Sequence, residues 1–484
     1  MAQDQEAIAI DVDDAMVNSI KQKLQAFVNG ERPSANLPFL FRVPDHVRES
    51  NKNHYEPRVV SIGPYHRGSK RLRAMEEHKW QYLRDFLARN PHIGLNHCIR
   101  EMKALETWAR RCYFESVDLS SDEFVEMMLL DGCFIIEFAI KFKYREGNAL
   151  SNVSWGFPHI RSDLLMFENQ IPFFILLRLF DLFFMGFDTK TTTPVCPPSS
   201  SADPPDSRDS EGKRPSLVEL LREYLMRHRI EKPVTLHSHE IYHLLHLYHH
   251  CFISRKEPSD PDGESLRPLI PWINPSTMLS SVLSYLQHTT EGSLSTRYPR
   301  TIPCATKLQQ AGVVFKKKTA VSWLDVTFEN GVMEIPFLSI EDTTKSRFVN
   351  LVAFEQCYRG GAGDFTSYAT FMDCIIDTGK DVAVLEQSGI IENKLATDED
   401  AALFFNQLRE CGYLDYDKHY LAGLFAKVNR YCESDWHKWR AKLMHDYFGN
   451  PWAILSLGAA LVLLALTVAQ TVFAAYQQFH PNKN

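Results

Sequence analysis

The residues whose spacing most strongly suggests chemistry are His239-Glu240-Ile241-Tyr242-His243. On a helix, H-E-x-x-H places two imidazoles on one face, where they can bind zinc while the glutamate acts as general base. His249 stands where the extended version of this motif has its third histidine. A metal-dependent hydrolase that uses His239, His243 and His249 is therefore one interpretation of the sequence.

Two features of the sequence argue against that interpretation. The position that the extended motif reserves for glycine holds His246, and without a turn there a continuous helix would carry His249 away from His239. A helix predicted over 238–254 instead carries a stripe of histidines, namely His239, His243, His246 and His250. In such a histidine-rich segment the short motif arises easily by chance. We therefore predict no metal, no cofactor, no catalytic residue and no enzymatic activity, and we retain the hydrolase as an alternative.

Other catalytic patterns are missing from the sequence. It contains no G-x-S-x-G, no G-x-x-x-x-G-K-[ST] and no G-x-G-x-x-G. Asp163 and Glu168 could form a carboxylate pair, but they flank a predicted helix break at Pro172. Because buried polar groups need partners, we expect them to form a hydrogen-bonded network there.

Apolar periodicity predicts a mainly α fold: a large irregular helical domain with a small β-hairpin and one C-terminal transmembrane helix. Helices are expected over 72–87, 95–114, 122–142, 216–228, 348–357, 366–378, 398–411 and 420–448, with loop and strand fragments over 39–68. Asp131-Gly132 predicts an irregularity within the third helix. Asn330-Gly331 between alternating apolar residues predicts the hairpin at 322–340.

Composition divides the chain into six parts. We predict an acidic N-terminal segment with a short helix at 1–36, a first helical part at 37–188 and a disordered Pro/Ser-rich linker at 189–216. A second part with the hairpin follows at 217–450, then the transmembrane helix at 452–476 and a short tail at 477–484.

The stretch at 452–476 has 25 residues and no charged side chain. A helix of about 20 apolar residues can cross a hydrocarbon core. We therefore predict a membrane anchor, in contact with lipid, that includes Trp452, Gly458, Thr467, Gln470 and Tyr476. Polar and small side chains at membrane depth can support helix pairing, so a structural membrane component that self-associates through this helix is a second alternative.

Charge and cysteine usage predict the location and exclude one class of partner. Lys438, Arg440 and Lys442 precede the span, and the N-terminus has no signal peptide, so we expect a single-pass protein with its bulk in the cytoplasm. Among membranes we expect the plasma membrane. The net charge of −7 argues against nucleic-acid binding. Ten cysteines without a C-x-x-C pair indicate reduced thiols.

Several phrases together carry a resemblance to a known family. They are FRVP (41–44), YEPRVVSIGPYHRG (55–68), MEEHKWQYL (75–83), MLLDGCFIIEF (128–138), DLLMFENQIPFFIL (163–176), HLL (243–245), PCATKLQQAGVVFK (303–316), NLVAFEQ (350–356) and LTVAQTVF (466–473). In this order, from about Leu37 to Phe473, the chain resembles the plant family called domain of unknown function 247.

The resemblance implies a mainly helical, membrane-anchored plant protein without established catalytic residues. Some grass members are linked to self-incompatibility, as candidates for the pollen-side recognition component. The resemblance therefore implies a recognition or signalling protein that binds protein partners not identified by the sequence.

Overall fold

Helices dominate the computed structural model of this chain, as the apolar periodicity predicts. It describes residues 39–49, 51–147, 156–184, 216–226, 238–253, 298–320, 322–358, 363–409, 412–416, 419–433 and 451–479. All of them fall within one compact unit. The short helix predicted within 1–36 and residues 189–215 of the predicted linker lie outside the described residues.

The first half of the described chain is helical. Its helices are α1 (Asp45–Glu49), α2 (Lys52–Tyr55), α3 (Arg73–Arg89), α4 (Leu95–Arg111), α5 (Ser121–Tyr144), α6 (Gly156–Leu164), α7 (Phe173–Phe184), α8 (Leu217–Met226) and α9 (Leu244–His250). Short 3-10 turns occur at Lys70–Leu72 and Ser238–Glu240.

The second half combines helices with two small sheets. Its elements are α10 (Ala305–Gln310), β1 (Val314–Lys318), β2 (Thr327–Glu329), β3 (Val332–Pro336), β4 (Leu338–Ile340), α11 (Asp342–Cys357), α12 (Asp364–Ile375), α13 (Gly379–Gln387), β5 (Ile391–Asn393), α14 (Asp398–Leu408), α15 (Ala422–Glu433) and α16 (Pro451–Phe479).

Helix α5 is the centre of the first half. Ser120 caps its N-terminus in a capping box with Glu123, and α3, α4, α7 and α8 pack around it. The irregularity predicted at Asp131-Gly132 is wrong, because α5 continues through both residues. A β-carbon at Gly132 would lie 2.4 Å from Leu179 Cδ1, so the glycine permits close packing against α7.

The predicted hairpin is confirmed. Strands β2 and β3 pair antiparallel, with Thr327 opposite Glu334, and Asn330 and Gly331 adopt φ values of 50° and 78° between them. Both values lie in the left-handed region that a two-residue hairpin turn requires. The sequence did not predict β1, which pairs parallel to β3, or the parallel pair of β4 and β5.

Helix α11 joins the two halves, because it packs against α2, α6 and α9 as well as α12 and α14. Its Asn350 side chain accepts a hydrogen bond from Phe167 N at 2.7 Å and donates one to His54 O at 2.8 Å. Segments nearly two hundred residues or more apart in sequence therefore share one core.

The last helix requires a correction. Among the described residues, no helix combines the length and the apolar character needed to cross a membrane. This finding contradicts the predicted transmembrane helix at 452–476, and with it the predicted contact with lipid and the single-pass location.

The residues predicted to anchor the chain can be placed only in part. The side chains of Trp452 and Tyr476 lie outside the described residues, whereas Gly458, Thr467 and Gln470 are exposed. Thr467 donates its hydroxyl to Leu463 O within the same helix, at 2.6 Å. That hydroxyl is therefore satisfied by its own helix, without a second chain.

Candidate functional site

The first cluster of polar side chains surrounds an irregular segment, residues 58–63. Residues 60–63 are buried, and none of 58–63 belongs to a strand. Asp163 accepts hydrogen bonds from three consecutive backbone N–H groups, those of Arg58, Val59 and Val60, at 3.0, 2.6 and 2.9 Å. The carboxylate thus satisfies three backbone donors of a segment that belongs to no helix or strand.

Three more side chains continue this pairing towards Gly63. Asn169 accepts from Ile62 N at 2.7 Å, and its amide donates to Val60 O at 3.0 Å. Asp131 accepts from Gly63 N at 2.8 Å, while Lys79 donates to both Ser61 O and Asp131. We call Lys79, Asp131, Asp163 and Asn169 the polar cradle.

Electrostatics in the polar cradle follow from burial. Burial raises the pKa of Asp163 to about 6 against the opposing effect of its three N–H donors. Burial also raises the pKa of Asp131, although Lys79 Nζ lies 2.6 Å from its carboxylate and opposes the rise. Each charge faces a donor or an ion-pair partner inside the protein, which is the arrangement that buried charges require.

Glu168 binds a different part of the backbone from Asp163. It accepts a hydrogen bond from Val43 N at 2.8 Å and faces Arg48 Nη1, which lies 2.7 Å from each carboxylate oxygen. The predicted break after α6 is confirmed, and residues 165–172 between α6 and α7 present these polar groups to the core. The two carboxylates act as parts of a hydrogen-bonded network and do not share a substrate-facing site.

The histidine-rich segment does not form the continuous helix predicted over 238–254. Ser238–Glu240 is a 3-10 turn, the chain is extended at His243 (φ −162°, ψ 177°), and α9 begins only at Leu244. Residues 239 and 243 therefore do not share a helix face, which is the geometry that H-E-x-x-H needs for zinc. The side chain of His239 lies outside the described residues.

Two histidines at the start of α9, His243 and His246, accept hydrogen bonds from backbone N–H groups. His243 Nδ1 accepts a hydrogen bond from His246 N at 3.2 Å, and His246 Nδ1 accepts one from Tyr242 N at 3.1 Å. In each neutral ring the proton therefore lies on Nε2. Burial lowers the pKa of His243 to about 3 and that of His246 well below its usual value, so both rings are neutral.

His249 has a separate role from these two histidines. Its Nε2 lies 2.7 Å from Glu355 Oε1, and both side chains are buried. Glu355 also accepts hydrogen bonds from Phe365 N and Thr366 N, at 2.9 and 2.8 Å, at the start of α12. A carboxylate from α11 thus caps the N-terminus of α12, where negative charge is favoured.

The two candidate zinc ligands whose side chains are described, His243 and His249, have separate partners within the protein. Across the part of the chain that the structure describes, no group of three or more histidine, cysteine, aspartate or glutamate side chains is arranged to hold a metal ion. His243 caps a helix, His249 pairs with Glu355, and the ring of His239 is not described. The prediction that the chain has no metal or catalytic residue stays a prediction.

A surface of aromatic rings lies beside the histidines, and no sequence pattern predicts it. Phe39 stacks on Tyr242 with 4.8 Å between ring centroids, and Tyr242 meets the ring of Tyr358 at 5.8 Å. Phe41 contacts Phe114 at 5.3 Å. We call Phe39, Phe41, Phe114, Tyr242 and Tyr358 the aromatic strip.

Backbone pairing fixes the first two rings of the aromatic strip. Leu40 forms a parallel bridge with Tyr113, and Phe114 N donates to Leu40 O at 2.8 Å. In an extended segment alternate side chains point the same way, so Phe39 and Phe41 share the side opposite buried Leu40. Phe114 is 64% exposed, and the other four rings of the strip are half-buried.

Comparisons with known proteins identify the family of this chain. Residues 40–466 match the family DUF247, described as a plant protein of unknown function. The chain is 28% identical to "UPF0481 protein At3g47200" of Arabidopsis thaliana, over 92% of this chain and 87% of that protein. It is 25% identical to "Putative UPF0481 protein At3g02645" of the same plant, over 91% of each.

No solved structure matches this chain. The family match covers most of the sequence and confirms the resemblance carried by the phrases between Leu37 and Phe473. Many of those phrases supply the residues of the polar cradle and of α5, which build the core. The chain therefore belongs to the DUF247 family of plant proteins of unknown function.

Proposed function

We propose that this chain is a protein-recognition component that binds a partner protein and carries out no catalysis of its own. The observation that supports recognition is the aromatic strip, which presents five rings from four separate segments on one folded body. A few residues contribute most of the binding energy of a protein–protein interface, and aromatic side chains such as tyrosine are enriched among them.

We propose that the chain has no catalytic activity because its buried carboxylates already bind other parts of the chain. Asp131 and Asp163 of the polar cradle bind the chain's own backbone. Outside the cradle, Glu355 caps the N-terminus of α12. A catalytic acid or base needs a proton that it can exchange with a substrate within hydrogen-bonding reach. These carboxylates are buried and already bonded, so they support the fold and are not free for that role.

Recognition during pollination, which the resemblance implies for some grass members, is one setting in which such a component would act. In that setting the partner would be another protein encountered by the chain in the same tissue.

The experiment replaces Phe114, the most exposed ring of the strip, with a photo-crosslinking phenylalanine analogue in the native tissue. Leu403, which is 53% exposed on α14, receives the same analogue as the matched control. A partner crosslinked from Phe114 is then purified and its affinity measured for the wild-type chain, Phe114→Ser and Leu403→Ser. We expect at least about a tenfold weaker Kd for Phe114→Ser, since an interface aromatic contributes roughly 2 kcal/mol or more.

The control decides the interpretation of that experiment. Leu403→Ser should bind as tightly as the wild-type chain. If Phe114 and Leu403 yield the same crosslinks, or if both variants bind the purified partner with unchanged affinity, the strip is not a recognition surface and the proposal fails.

A further inference from the structure

Strand β1 has one side without a strand partner in the sheet. The strand order is β1-β3-β2, so β1 lies at an edge, and among the strands that the structure describes only β3 pairs with it. The pairing is parallel and joins residues 314–318 to residues 332–336. An edge of this kind presents unpaired N–H and C=O groups, which can pair with a further strand.

The hydrogen bonds to β3 determine which backbone groups point to the free side of β1. In a parallel pair, alternate residues of a strand direct both their N–H and their C=O groups to the same neighbour. Val314 N donates to Gly331 O at 2.9 Å, so Val314, and Lys316 two residues later, face β3. Phe315 and Lys317 therefore direct their N–H and C=O groups to the free side.

The side chains of β1 hold the strand in place and leave its free side accessible. Phe315 is buried in the core, whereas Val314 is 51% exposed. Lys316 and Lys317 are also exposed, and they lie on opposite faces of the sheet because successive side chains of a strand alternate. A strand that added to this edge would therefore have a lysine beside each of its faces.

Two of the three lysines of β1 have no carboxylate partner among the described residues. Lys316 lies opposite Glu334 of β3 but forms no ion pair with it, and Lys317 Nζ lies over the ring of Phe337, 4.3 Å from its centroid. Lys318 differs, because an ion pair at 2.8 Å neutralises it within the chain. The free side of β1 is thus locally positive in a chain whose net charge is −7.

This charge determines which kind of strand can pair with the edge. Lysines at a sheet edge oppose pairing with a second copy of the same edge, because like charges would face each other. An acidic strand meets the opposite condition, since its carboxylates would lie beside Lys316 and Lys317. An extended peptide that adds to a sheet edge gains affinity from main-chain hydrogen bonds and specificity from its side chains.

We propose that the free side of β1 binds an extended, acidic segment of a partner protein, which adds to the sheet as a further strand. The main-chain groups of Phe315 and Lys317 bind its backbone, and Lys316 and Lys317 pair with its carboxylates. This surface shares no residue with the aromatic strip, so the inference goes beyond the proposed function and does not depend on it.

The test uses the full chain and two short synthetic peptides as probes, one of alternating glutamate and valine and one of alternating lysine and valine. We expect the acidic peptide alone to bind. Its binding should slow hydrogen exchange at Phe315 N and Lys317 N, because these amides gain acceptors. The amides of Val314 and Lys316 already bond to β3 and should change little. This measurement needs no variant of the chain.

Two pairs of variants separate the contribution of charge from that of the backbone. Lys316→Gln/Lys317→Gln should weaken the Kd about three- to tenfold, because it removes two exposed ion pairs. Lys70→Gln/Arg73→Gln, which removes the same charge from two exposed residues elsewhere, should leave the Kd unchanged. Lys317→Pro removes the outward N–H together with the charge, so it should bind about fivefold more weakly than Lys317→Gln.

Several outcomes would overturn the inference. They are equal binding of the acidic and basic peptides, unchanged exchange at Phe315 N and Lys317 N, and equal Kd values for Lys317→Pro and Lys317→Gln. Slower exchange at the same amides with rising protein concentration, without peptide, would show that a second copy covers the edge and would also overturn it. Phe114→Ser should bind the acidic peptide as tightly as the wild-type chain, so this inference and the proposed function can fail separately.

Discussion

The ion pair between Lys79 and Asp131 gives the sharpest test of the polar cradle. Both side chains are 1% exposed, and Lys79 Nζ lies 2.6 Å from Asp131 Oδ1 and 2.5 Å from Ser61 O. In a Lys79→Met variant the methionine fills a similar volume, but the Asp131 carboxylate keeps only the N–H of Gly63. Removing one partner of a buried pair costs about 3–5 kcal/mol, because the other charge stays buried and unpaired.

That cost is a large share of the free energy of unfolding, which is about 5–15 kcal/mol for folded proteins. The assay is chemical denaturation of the full chain followed by tryptophan fluorescence, with the midpoint compared at constant slope. Lys103→Met is the matched control, because Lys103 pairs with Asp122 at 3.1 Å where the side chains are 56% and 91% exposed. Such a surface pair contributes about 0–1 kcal/mol.

The pH dependence separates a buried charge from a packing defect. Burial already raises the pKa of Asp131 in the presence of Lys79, and without the lysine the pKa rises further. The folded variant then binds a proton at a higher pH than the unfolded chain, in which the carboxyl pKa is near 3.8. The cost of Lys79→Met, relative to wild type at the same pH, should therefore decrease as the pH falls through the raised pKa of Asp131.

A second change tests the same reasoning. Asp131→Asn in the Lys79→Met background removes the unpaired charge while its carbonyl can still accept from Gly63 N, so part of the stability should return. The reasoning is refuted if Lys79→Met costs no more than Lys103→Met, and if that cost is the same at acidic and neutral pH.

Two further predictions concern the histidine-rich segment and its neighbour. His243 has a folded pKa of about 3 against 6.5 in the unfolded chain, so wild-type stability should fall as the pH drops from about 6.5 towards 3. His243→Asn can still cap α9 but does not titrate, so it should lose less stability than the wild type over that window, by an amount on the order of 2–4 kcal/mol. Chemical denaturation at several pH values measures this difference. Equal dependence of the free energy of unfolding on pH in the two proteins would contradict the prediction. In wild type the two carboxylate oxygens of Glu355 accept hydrogen bonds from Phe365 N and Thr366 N. Glu355→Gln has only one acceptor oxygen, so amide hydrogen exchange in the first turn of α12 should accelerate. The free energy of unfolding should decrease by roughly 2–4 kcal/mol. Unchanged exchange at those two amides would show that the charge is not needed for the cap.

Local patterns were sufficient for elements whose hydrogen bonds close within a few residues. The apolar spacing over 72–87 and 95–114 predicted α3 and α4 to within a few residues. Asn330-Gly331 predicted the hairpin, because two left-handed residues in succession favour only a tight turn. Pro172 predicted the break before α7, since a proline lacks the N–H that a continuing helix uses.

Local patterns failed where partners come from distant parts of the chain. Residues 58–63 belong to no helix or strand, and their backbone N–H groups are bound by Asp163 and Asn169, about a hundred residues away. The helix predicted over 238–254 fails because His243 takes an extended conformation and starts a new helix. No periodicity over one segment contains that information.

The sequence by itself therefore determined the family, the mainly helical class, the hairpin and the helix break, because these depend on the types and spacing of neighbouring residues. Tertiary structure decided that the carboxylates at 163 and 168 bind backbone N–H groups, that the histidines of H-E-x-x-H lie on separate elements, and that the rings of Phe39, Tyr242 and Tyr358 pack together. It also supplied the finding against a membrane-spanning helix among the described residues. The physical reason is common to the first three: burial and hydrogen bonding between remote segments fix what each side chain contacts, and residue spacing along the chain does not encode those contacts.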